Sequence, residues 1–116
     1  MHEASLIKDV LDTSLVTMRR AGGSSIRVVK LRVGALAGVV PEALQFAFDS
    51  LKSGTAAEES QLEIDWKPAL LECPQCQQSV STESYPELCP SCGDVLSTLI
   101  QGTELDLVSV EVSHDG

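Results

Sequence analysis

Between positions 4 and 20 apolar side chains return every three or four residues, at Ile7, Val10, Leu11, Leu15 and Met18, while Lys8, Asp9, Asp12, Arg19 and Arg20 take the other directions. That period predicts an α-helix with one apolar stripe. Gly22-Gly23 ends it, and Arg19-Arg20 stand in its last turn, where the helix dipole favours cations. The period then falls to two. Val29, Leu31 and Val33 alternate with Lys30 and Arg32, which predicts a strand over 25–33 with one buried face. Its other face begins with Ile26 and Val28, either covered by a loop or offered as an edge for self-association. Pro41-Glu42 suits the first turn of a second helix, because proline needs no donor there and a carboxylate fits the positive end. Leu44, Ala47, Phe48 and Leu51 form its inner stripe, and Ser53-Gly54-Thr55 closes it. A second strand follows at 61–67, with Leu62, Ile64 and Trp66 in phase. A third spans 104–112, where Leu105 and Leu107 keep one phase and Val108, Val110 and Val112 the other, so a bulge is expected near Leu107.

Helix, strand, helix, strand, insert, strand is the order of an α+β fold. It predicts a small three-stranded mixed sheet packed on two helices, interrupted by an inserted zinc-ribbon module. The first two strands, joined across a helix, fit a parallel pair with a right-handed crossover. The module occupies 69–102, leaving 1–68 plus 103–116 as the larger domain. Its ends, Ala69-Leu70-Leu71 and Val95-Leu96, are expected to pair with each other as a short ribbon.

The insert holds all four cysteines, as Cys73-Pro74-Gln75-Cys76 and Cys89-Pro90-Ser91-Cys92, with twelve residues between the pairs. Two CxxC knuckles supply the four thiolates of a tetrahedral structural Zn²⁺ site. Two disulfides would need an oxidising compartment. The first ten residues carry His2, Glu3, Lys8 and Asp9 and no long apolar run, so neither a signal peptide nor a membrane span is read there, and a cytoplasmic setting follows. Thiol redox chemistry calls for one CxxC beside a helix N-terminus, whereas here two matched pairs sit among prolines. An Fe(Cys)₄ centre uses the same ligands, and zinc is preferred to it on frequency alone.

Charge narrows the partners. Net charge is −9, and all eight Lys and Arg lie in residues 1–67, where nine acids nearly balance them; from Pro68 onward there are eight acids and no Lys or Arg. A four-thiolate zinc centre adds about two more negative charges to that half. A ribbon that grips nucleic acid needs cations for the phosphates, so nucleic acid is excluded as a partner. No nucleophile with an adjacent base is identifiable, which argues against an enzyme.

Met1-His2-Glu3 has an ordinary reading, a frayed terminus with a solvated histidine, and a specific one. An α-amine with pKa about 7.7–8.0 and an imidazole of about 6.5 both present lone pairs near neutrality. The His2 amide nitrogen lies between them. Together these nitrogens suit the planar geometry of Ni²⁺ or Cu²⁺ rather than Zn²⁺ or Mg²⁺. Glu3 can add its amide nitrogen, an axial carboxylate or a supporting hydrogen bond, and a bulky second residue is expected to protect Met1 from removal. The other histidine, His114, lies in a polar tail and reads as solvated.

A chain that opens Met-His-Glu, runs through an amphipathic helix to Leu31-Arg-Val-Gly-Ala-Leu-Ala-Gly-Val-Val-Pro41, and continues with Phe46-Ala-Phe48, Gly54-Thr55 and paired CxxC knuckles resembles the HypA family, nickel metallochaperones of [NiFe]-hydrogenase maturation. The resemblance covers nearly the whole chain. It implies that His2 is the essential nickel ligand, assisted by the Met1 amine and the Glu3 region, and that Cys73, Cys76, Cys89 and Cys92 hold structural zinc. It further implies delivery of Ni²⁺ to the hydrogenase large-subunit precursor together with the GTPase HypB, and service to urease maturation proteins in some organisms; between monomer and homodimer the sequence does not choose. Some relatives carry a histidine in the insert that can approach nickel; this insert has none. The competing reading is a zinc-ribbon protein-interaction adaptor without nickel traffic.

Overall fold

The computed structural model describes residues 3–82 and 87–114. Its elements run α1 (Glu3–Arg20), β1 (Ser25–Gly34), α2 (Pro41–Leu51), β2 (Gln61–Lys67), β3 (Ala69–Glu72), β4 (Ser79–Thr82), β5 (Glu87–Leu88), β6 (Val95–Leu96), β7 (Thr98–Gln101) and β8 (Leu105–Ser113). The α+β reading holds. Two compact units emerge, one of Met1–Leu31, Val39–Asp65 and Asp106–Gly116, the other of Arg32–Gly38 and Trp66–Leu105.

In the first unit α1 buries Ile7, Val10, Leu11 and Met18, as the spacing predicts, together with Ser14. Ser14 is tolerated inside because its hydroxyl donates to the Val10 carbonyl at 2.7 Å. The helix ends at Gly22, whose φ of +75° suits glycine; Gly22 N donates to Arg19 O and Gly23 N to Met18 O, satisfying carbonyls of the last turn. In α2, Pro41 stands in the first turn, Leu44, Ala47 and Phe48 are buried, and Lys52 caps the C-terminus through its N–H to Phe48 O. Leu51, expected on the inner stripe, is instead exposed at the helix's last residue.

The principal sheet has the order β2-β1-β8. Ser24 N donates to Ser113 O and Gly34 N to Glu104 O, so β8 runs antiparallel to β1. Ile26 N reaches Ala56 O and Ala35 N reaches Lys67 O, so β2 and the segment before it run parallel to β1. The sheet is therefore mixed, and the parallel pair is joined across α2. Val29, Leu31 and Val33 are buried as the alternation requires, and Ile26 is buried as well. The segment that runs beside Ile26, taking its N–H at Ala56 O, is also bonded by Lys52, whose Nζ donates to Ser60 O at 2.8 Å. Along β8 burial alternates through Leu105 and Leu107, slips at Val108–Ser109, and resumes at Val110 and Val112. Among the described residues no helix is long and apolar enough to cross a membrane.

In the second unit β3 is central, with β4 and β7 on either side, while β5 and β6 form a separate two-stranded ribbon. This corrects the expected pairing of the insert's ends. Ala69–Glu72 pairs with Ser79–Thr82 and with Thr98–Gln101, and Val95-Leu96 pairs instead with Glu87-Leu88. The physical reason is that each CxxC turn folds its own flanks into a hairpin. Gly34 is pinned where the module's chain returns: a Cβ there would lie 2.1 Å from Gly102 O, so only glycine fits.

Candidate metal centre

The two knuckles repeat one backbone design. Cys73 N donates to Gln78 O and Gln77 N to Cys73 O; sixteen residues on, Cys89 N donates to Asp94 O and Gly93 N to Cys89 O. Each loop turns back through a residue of positive φ, Gln77 at 58° and Gly93 at 80°. The hydroxyl of Ser91 donates to Gln78 Oε1 at 2.6 Å and links one knuckle to the other. In each pair the first cysteine is buried and the second exposed.

This folding brings the four Sγ atoms of Cys73, Cys76, Cys89 and Cys92 within 4.8 Å of one another. Cys73 and Cys92 are 3.5 Å apart, too long for a disulfide bond, and all four cysteines are free. A tetrahedral site with metal–sulfur bonds of about 2.3 Å has sulfur–sulfur edges of roughly 3.8 Å. The cluster thus fits a single ion with four soft thiolate ligands, consistent with structural zinc. Backbone dipoles prepare it: Cys76 N–H points to Cys73 Sγ at 3.5 Å.

Titration differs sharply between the thiols. Cys89 is lowered to about 7, first by the backbone N–H of Cys92 and then that of Ser91, which favour its thiolate. Cys76 is pushed up to about 12, first by its hydrogen bond with Cys92, then by burial and by Cys73. Thiolates this close repel one another, and a bound cation would offset that repulsion.

The interior around the sulfurs is small, with Leu71, Cys73, Cys89 and Leu96 buried and Val80 packed against them. Of the terminal residues, Met1 and His2 lie outside the described residues, whereas Glu3 begins α1 and is half-buried. His114 is exposed, with Nδ1 3.1 Å from Gly22 O.

Fold and cluster together define a class of protein: a small α/β unit of two helices and a mixed sheet, carrying a four-cysteine ribbon. Residues 1–112 match the family model described as hydrogenase/urease nickel incorporation, metallochaperone, hypA. A hydrogenase maturation factor HypA of Acidithiobacillus ferrooxidans is 42% identical over 112 residues, 97% of this chain and 99% of the relative. Another, of Moorella thermoacetica, is 38% identical over 104 residues, 90% of this chain and 92% of the relative. The chain belongs to the HypA family, the nickel metallochaperones of hydrogenase maturation. Among solved structures, the solution structure of the Ni metallochaperone HypA from Helicobacter pylori superposes with a TM-score of 0.66 at 20% identity, covering 99% of this chain and all of that one (100%). A solution structure of HypA protein gives 0.70 at 20% identity, covering 99% and 98%. At that identity these two bear on the fold alone.

Proposed function

We propose that this protein collects Ni²⁺ at its amino terminus and delivers it to the [NiFe]-hydrogenase large-subunit precursor, acting with the GTPase HypB and without an enzymatic step of its own. The observation that carries this reading is the family match running from residue 1 to 112, which takes in the Met-His-Glu start as well as both knuckles. With Met1 as the free terminus, its amine, the His2 amide nitrogen and the His2 imidazole occupy adjacent corners of a planar nickel site, and Glu3 supports it. Such an open site gives the ion up readily, because its ligands can be exchanged one at a time against those of an acceptor. Protonation of the His2 imidazole competes with the ion for its lone pair and adds a pH-dependent route to release.

Cys73, Cys76, Cys89 and Cys92 hold a structural zinc in this reading. A closed four-thiolate site retains its ion, so the ribbon of 69–102 serves shape and docking while 1–68 plus 103–116 carries the nickel. The work is placed in the cytoplasm, where the thiols stay reduced. Supply of urease maturation proteins follows only where the organism has that enzyme.

Titration of the zinc-loaded chain with Ni²⁺ by calorimetry, beside His2→Ala, tests the reading. One nickel per chain is expected for the native protein, with loss of that site and unchanged zinc in the variant. A strain lacking the protein should regain hydrogenase activity with the native chain and not with His2→Ala. Nickel binding unaffected by His2→Ala would overturn the proposed site, and absence of nickel binding by the native chain would leave a zinc-ribbon adaptor.

A further inference from the structure

The cysteine cluster is closed on one side only. Cys73 and Cys89, the first residues of the two knuckles, are 0% and 2% exposed, whereas Cys76 and Cys92 lie at the surface. Shape and retention of an ion are served as well by four covered sulfurs, so the two at the surface add something else. Zinc keeps its ligand sulfurs as thiolates, and a thiolate within reach of solvent is the species that oxidants attack. Cys92 also has a partner in place. Its Sγ lies 3.5 Å from that of Cys73, a buried residue of the other knuckle.

These positions select which sulfurs join. An oxygen added to Cys92 from solvent points outward, and displacement at sulfur proceeds from the side opposite the departing group. The second thiolate must therefore come from within, where Cys73 lies.

We propose that Cys92 and Cys73 form a peroxide-sensitive thiol switch, in which oxidation joins the two knuckles by a disulfide and releases the zinc. The Cys92 thiolate attacks the O–O bond of a peroxide; an S–O bond forms, and the departing hydroxide takes a proton from solvent and leaves as water. The Cys73 thiolate then attacks the Cys92 sulfur; the S–S bond forms, the S–O bond breaks, and a second water leaves in the same way. Over both steps each sulfur gives up one electron and the peroxide takes two. Cys76 and Cys89 remain as thiolates, two short of the four that close a structural site, and zinc is lost. The link ties one knuckle to the other, so reduction by a dithiol restores a site that can reload. The switch rests on the reading of the cluster as a zinc site and requires nothing of nickel delivery.

The test treats the full zinc-loaded chain with hydrogen peroxide and follows zinc release with a metallochromic indicator. Remaining thiols are alkylated after unfolding, and linked and alkylated cysteines are located by peptide mass spectrometry. One zinc should leave per chain as two thiols are lost, with Cys73 joined to Cys92 and the alkylating group on Cys76 and Cys89. Dithiothreitol should then restore zinc binding. Links within the knuckles, Cys73 to Cys76 and Cys89 to Cys92, would overturn the pairing, and so would a link between Cys76 and Cys92. Zinc retained and four thiols intact, under peroxide that fully oxidises free glutathione, would overturn the switch and leave the zinc site standing. A chain that holds no zinc when purified under reducing conditions would overturn the zinc reading itself, an outcome distinct from a loaded site that resists peroxide.

Discussion

The unit containing the helices buries Ile7, Leu11, Val29, Leu44 and Phe48 from α1, β1 and α2, whereas among the described residues the cluster around the sulfurs buries Leu71, Leu96 and two cysteines, with Val80 packed against it. The first has enough apolar surface to hold its shape by burial. The second has strands of two to four residues and few side chains to stack between them. Below a certain core size a metal replaces hydrophobic burial as the source of cooperativity. Cutting the metal should therefore separate the two units, while cutting the core should not.

The largest effect is expected from removing the cluster. Apparent binding of structural zinc in zinc-finger peptides is worth about 10–16 kcal/mol at pH 7. Cys73→Ser, or chelation, should collapse the signals of residues 69–101 in an NMR spectrum and leave the helical signal of α1 and α2 largely in place in far-UV circular dichroism. Uniform loss of both units would contradict the separation. Next in size, Phe48→Ala removes a fully buried ring and should lower the stability of the helical unit by about 3–5 kcal/mol. Denaturant titration reads this effect, and zinc content should stay unchanged in the folded variant.

Smaller effects sharpen the contrast within the module. The knuckles share their hydrogen bonds but not the residue at the left-handed turn, Gln77 in one and Gly93 in the other. A side chain in that conformation costs about 1–2 kcal/mol. Gln77→Gly should raise, and Gly93→Ala lower, the temperature at which the module melts, with opposite shifts in zinc affinity. The pH response is the finest probe. Zinc binding displaces thiol protons, so affinity rises with pH. Below about 7 Cys89 contributes one of those protons, and above it Cys89 is already thiolate, while Cys76, pushed up to about 12, still has its proton to lose. The plot of log affinity against pH should therefore be steeper below neutrality than above it. A plot of constant slope through pH 7 would contradict the role given to Cys89.

How far each unit was legible follows the same division. The three-and-four spacing of Ile7, Val10, Leu11 and Met18 and the alternation of Val29, Leu31 and Val33 reflect burial, and burial is what periodicity records. Ser14 escaped that reading because a hydroxyl bonded within its own helix can be buried without being apolar. Leu51 misled it because the helix ends there, with Lys52 as its cap. Ile26 was readable only as covered or as an edge, since alternation along a strand does not tell what lies beside it; its N–H is taken by Ala56 O and its side chain is buried. In the module the ligands were plain from CxxC spacing, but the pairings of β3, β5, β6 and β7 were not. Strands this short have no period to read, and the turns at the cysteines set their partners. The terminal nickel ligands rest on donor chemistry and family membership, with Met1 and His2 outside the described residues.

The central claim, an exchangeable nickel site built on the free amine and His2, is tested most directly by placing one glycine before Met1. The extension moves the amine out of chelating position and leaves every cysteine in place. Titrated with Ni²⁺ in native mass spectrometry, the zinc-loaded native chain should bind one nickel and the extended chain should lose or greatly weaken that site, both retaining zinc. Equal nickel binding by the two chains would contradict the claim and move the site away from the terminus.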